Sequence, residues 1–69
     1  MRGFLIIDTE EKREKIEVTN TQINYLIPII KKINKNHNEY EGVTGFELFK
    51  ELVSFDIEKI TSINIVYHN

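Results

Sequence analysis

Four consecutive apolar side chains, Phe4, Leu5, Ile6 and Ile7, stand near the start of this 69-residue sequence, and no other feature restricts its fold as much. Side chains alternate between the two faces of a strand, so a strand through this run is apolar on both. A chain this short buries only about 60% of the surface its unfolded form exposes, and its own helices can cover one face of a small sheet. The other half of the strand therefore wants a partner. There is no cysteine, which removes disulfides and thiolate metal sites together, so packing or association with another chain must stabilise the core.

The segment from Gly3 to Thr9 reads as the first strand, and Lys15 to Thr19, alternating polar and apolar, as the second. Glu10 to Arg13 lacks the Asn-Gly or Asp-Gly of a two-residue primed turn, so a four-residue loop around a type I turn is expected. That loop sets Leu5 opposite Val18 and Ile7 opposite Ile16 on a core face, with Asp8 opposite Lys15 on the reverse. Phe4 then faces Thr19 and Ile6 faces Glu17, which leaves both large groups bare.

Ile23, Leu26, Ile27, Ile30 and Ile33 recur at spacings of three and four and draw the apolar stripe of a helix. Thr19 and Gln22 have the form of a capping box at its start. Pro28 removes one helical hydrogen bond and clashes with the preceding turn, so a kink near Asn24 and Tyr25 or a break is expected. Lys31, Lys32 and Lys35 suit the negative end of the helix dipole, and the helix is expected to stop near Asn36. A polar loop over His37 to Gly42 follows. Thr44 and Glu47 read as a second capping box, opening a helix with Phe46, Phe49, Leu52 and Val53 on one face. Ser54 to Ile60 reads as a short turn of helix. Thr61 to His68 alternates again, with Ile63, Ile65 and Tyr67 on one side, as a third strand.

The order ββααβ predicts a small single α+β domain over residues 1–69, with a hairpin and a C-terminal strand in one antiparallel sheet and two helices packed on one face. At 41% hydrophobic, 29% charged and a net charge of -2, the composition is that of a folded chain. No signal-like segment opens it and no apolar run approaches the roughly 20 residues of a membrane span, so a cytoplasmic protein is expected. Twelve isoleucines, seven asparagines, seven lysines and no alanine point to A- and T-rich coding of the kind found in low-GC bacteria and their phages.

Catalytic chemistry has little to rest on. Asp8, Glu10, Glu11, His37 and His68 are the only candidates for a metal-assisted site, and their spacing matches no ligand motif. A Gly-rich phosphate loop, a nucleophile elbow and a Cys–His pair are all missing from the sequence. A non-enzyme that uses no cofactor and no metal is expected. Nucleic-acid binding would use Lys31, Lys32 and Lys35 with Tyr40 or Tyr25 for stacking, but the chain as a whole is acidic, with pI about 5.6. Protein association has the better support. Its expected contacts are Phe4, Ile6 and Glu17 on the outer strand face and Tyr25 and Ile29 off the main helical stripe, with another protein or a second copy as partner. Stand-alone chains of this size in phages and mobile elements often serve as inhibitors or adaptors, and that is the functional class expected here.

Overall fold

The computed structural model describes residues 2–35 and 39–69. The elements are β1 (Arg2–Thr9), β2 (Arg13–Val18), α1 (Asn20–Asn34), α2 (Phe46–Leu52), a single 3-10 turn at Ile57–Lys59, and β3 (Ile60–His68). The three strands form one antiparallel sheet in the order β2-β1-β3. This explains the doubly apolar run, since β1 is the central strand and has a neighbour on each side. Both helices lie on one face. Leu5, Ile7, Ile63, Ile23, Leu26, Ile29, Phe49 and Val53 are buried between the sheet and helices, and Leu5 and Ile7 have no exposed surface. Among the described residues no helix is long and apolar enough to cross a membrane.

The hairpin register departs from the expectation. Leu5 faces Ile16 and Gly3 faces Val18, while Phe4, Ile6 and Asp8 face Glu17, Lys15 and Arg13 on the outer side. The connection is shorter than four residues, because the Thr9 N–H donates to the Lys12 carbonyl at 2.8 Å across Glu10 and Glu11. The Thr9 hydroxyl closes the turn as a backbone carbonyl otherwise would: it accepts from the N–H groups of Glu11 and Lys12 at 3.3 and 3.1 Å. A slip of two residues preserves the faces, so the same side chains reach the core while their cross-strand partners change.

Helix α1 starts as expected. Thr19 is its N-cap, accepting from the Gln22 N–H at 3.1 Å, and the Gln22 side chain accepts from the Thr19 N–H at 2.9 Å. Pro28 does not break it, and α1 runs unbroken to Asn34. Pro28 and Asn24 are both exposed, so the carbonyl deprived of its partner faces water rather than the core. The buried stripe includes Ile29 in place of Ile27, which is half-buried.

The start of α2 also corrects the expectation. Its N-cap is Gly45, at φ 91°, with no side-chain capping bond, and the exposed Thr44 lies outside the helix. An ideal Cβ on Gly45 would meet the α1 backbone, 2.6 Å from the Tyr25 carbonyl oxygen and 3.1 Å from Leu26 Cα. Close approach of the two helices, rather than a hydroxyl cap, sets where α2 begins.

Candidate functional site: the open face of the sheet

Both helices occupy the Leu5–Ile7–Ile63 side, so among the described residues the opposite face of the sheet carries no helix. Alternation along β1 places Arg2, Phe4, Ile6 and Asp8 down its middle. On one flank stand Arg13, Lys15 and Glu17, and on the other Ser62, Asn64, Val66 and His68. The ends of this face are tied by ion pairs. Arg2 meets Glu17 through two hydrogen bonds of 2.9 and 3.0 Å, and Arg13 meets Asp8 at 2.6 and 3.3 Å. The Ser62 hydroxyl adds a bond to Asp8 at 3.2 Å.

Phe4 is not bare. Lys15 places its ammonium 4.3 Å from the ring centroid, the Arg2 guanidinium lies 5.9 Å away, and the His68 ring meets Phe4 edge-on at 5.2 Å. Lys15 Nζ in turn lies 3.4 Å from His68 Nε2. Phe4 and Ile6 are both half-buried, which corrects the expectation that the hairpin leaves them uncovered. The reason is the shorter turn, which moves Lys15 from beside Asp8 to beside Ile6 and within reach of Phe4. Reading Thr9 as a turn former would have exposed this cluster in the sequence.

The Asp8 carboxyl is lowered from its ordinary value chiefly by the hydrogen bond from Arg13; desolvation opposes this, and the hydrogen bond from Ser62 and the charge of Arg13 add smaller lowering effects. The Arg2 and Arg13 guanidiniums are raised by their carboxylate partners. These pairs are open to water: the Arg13 and Arg2 side chains are 71% and 66% exposed. Solvent screening limits what such pairs add, and their main effect is to hold the strands in register.

The remaining candidate residues are dispersed. Tyr25 projects from α1, 54% exposed, on the helical layer and away from the open sheet face. Ile29 is fully buried in the core and offers no surface to a partner, because α2 and Gly45 cover that flank of α1. Lys31 and Lys32 lie in the last turn of α1 and Lys35 is its C-cap. Tyr40 stacks on Phe46, with centroids 6.3 Å apart and planes at 21°, so that ring is engaged within the chain. Asp8 and His68 stand at opposite ends of the sheet, while His37 lies outside the described residues. Among the described residues no three His, Cys, Asp or Glu side chains converge as a metal site would need.

A cleft of about 800 Å³ separates the hairpin tip at Glu10 and Glu11 from the segment of Phe55, Asp56 and Glu58. Lys12 crosses it and lies 4.5 Å from the centroid of the Phe55 ring. It is open to solvent and mixed in charge.

No family model matches this chain, and no curated protein or solved structure matches it either.

Proposed function

We propose that this chain is a non-catalytic protein-interaction module that docks another protein on the open face of its sheet. One observation carries the reading: the face without helices presents Phe4 and Ile6 as a half-buried apolar centre, rimmed by Arg2, Arg13, Lys15, Glu17 and Asp8. An apolar centre inside a polar rim is the usual anatomy of a docking patch.

The size of the patch sets the kind of complex. Three strands of eight, six and nine residues give a face of roughly 14 by 26 Å, about 370 Å² per partner. Twice that area falls below the 1,200 Å² or so of a stable interface, so the complex is transient unless the partner also grips the rim or an edge. An inhibitor or adaptor of a phage or mobile element, working in the cytoplasm, fits such a module.

A second reading, nucleic-acid binding through Lys31, Lys32 and Lys35, rests on their shared position at the C-terminal end of α1. The test uses two variants, Ile6→Glu and the combined Lys31→Gln, Lys32→Gln and Lys35→Gln, each checked by circular dichroism. Glu at position 6 stands opposite Lys15, so the sheet tolerates it. Capture of a host protein by the wild type, lost in Ile6→Glu and retained in the lysine variant, is the expected result. Oligonucleotide binding that collapses with salt and with the lysine change would overturn it.

A further inference from the structure

In the order β2-β1-β3 each outer strand has one edge that pairs with no other strand among the described residues, and the chain treats the two edges differently. Four of the six residues of β2, Arg13, Glu14, Lys15 and Glu17, are charged, which is a common way to keep an edge from pairing with another chain. The nine residues of β3, ITSINIVYH, include no Lys, Arg, Asp, Glu or Pro. Such an uncharged, alternating, β-branched strand is the kind that pairs with copies of itself.

Asn34, at the end of α1, sits on that edge. Its side-chain amide nitrogen donates to the Ile63 carbonyl at 3.0 Å, and its Oδ1 accepts from the Ile63 N–H at 3.0 Å. One carboxamide thus makes both bonds that an added strand would make at Ile63. Because backbone direction alternates in an antiparallel ladder, Ile65 and Tyr67 also turn their N–H and C=O groups away from β1. Their own side chains are apolar, Ile65 half-buried and Tyr67 49% exposed.

We propose that the free edge of β3 is a latent pairing surface for the β3 of a second copy, and that the Asn34 carboxamide holds it shut at Ile63. A second copy fits because an antiparallel β3–β3 pair is isologous: odd-numbered residues meet odd-numbered residues, joining isoleucines and Tyr67 on one face with no charge to oppose them. Asn34 interrupts that ladder at its middle, leaving too few free groups for lasting pairing. This surface is separate from the open face, so Ile6→Glu leaves it unchanged.

The test compares wild type, Asn34→Ala and the double variant Asn34→Ala with Tyr67→Lys, by light scattering over a concentration series and by amide hydrogen exchange. In the wild type the Ile63 amide is protected, while those of Ile65 and Tyr67 exchange rapidly at every concentration. Asn34→Ala shifts the mass from 8.2 kDa towards twice that value, tightens self-association at least about tenfold, and slows exchange at Ile65 and Tyr67 as concentration rises. A lysine at the exposed position 67 restores the wild-type mass. Should the alanine variant not fold, Asn34→Ser, too short to reach Ile63, carries the same readouts. A rapidly exchanging Ile63 amide in the wild type would overturn the proposal. So would a folded Asn34 variant whose mass stays at 8.2 kDa, or self-association that survives the lysine at position 67.

Discussion

Gly45 approaches Tyr25 so closely that a Cβ on the glycine would lie 2.6 Å from the tyrosine carbonyl oxygen. The contact is backbone against backbone, and Gly45 also sits at φ 91°, where an L side chain is strained. Neither fault can be relieved by rotating a side chain. Gly45→Ala is therefore expected to cost at least about 2 kcal/mol, combining left-handed strain with the displacement of α2 from α1. A urea titration checks this. A loss below about 0.5 kcal/mol would mean that the two helices separate easily, and the layer built on Ile29 and Phe49 would need another explanation.

The two sequence patterns that resemble capping boxes separate the same way. Thr19→Ala removes an N-cap whose reciprocal bonds are both formed, and is expected to cost about 1 kcal/mol, in a range of roughly 0.5 to 2. Thr44→Ala removes no capping bond and is expected to fall within about 0.5 kcal/mol of wild type. Equal losses at the two positions, measured under one denaturant protocol, would move the start of α2 back to Thr44.

The pairing of Asp8 with Arg13 gives the hairpin a dependence on pH. The folded-state pKa of Asp8 is lowered, so the folded chain holds the proton more weakly than the unfolded one. The resulting stability is present above the ordinary carboxylate value of about 3.9 and is lost as pH falls through the lower folded value. Asp8→Asn removes this contribution. The gap between wild type and variant is expected to be widest near neutral pH and to close below about pH 4. Unfolding midpoints at several pH values test it, and a gap independent of pH would assign the effect of Asn to packing instead of charge.

Hydrophobic alternation was enough to place all three strands, both helices and the side of each strand that enters the core, because burial on a pleated surface depends on parity. Leu5, Ile7 and Ile63 could be read that way without knowing what they touch. The Thr19–Gln22 cap was equally legible, being complete within four residues. Ile29 was not: it lies beside the stripe on a helical wheel, and only the docking of α2 on that flank buries it.

Local pattern by itself determined the class, the order of elements and the doubly apolar first strand of this protein, since propensity, capping and period act over a few residues. Tertiary structure decided the rest. The position of β1 between β2 and β3, the gathering of Lys15 from β2 and His68 from β3 onto Phe4, the glycine at the start of α2, and the reach of Asn34 to Ile63 all depend on groups distant in the chain. Thr44 and Thr19 look alike in the sequence, and so do a bare and a covered Phe4. What separates them is whether a neighbouring backbone or side chain arrives close enough to satisfy a hydrogen bond or exclude water, and that is set by packing.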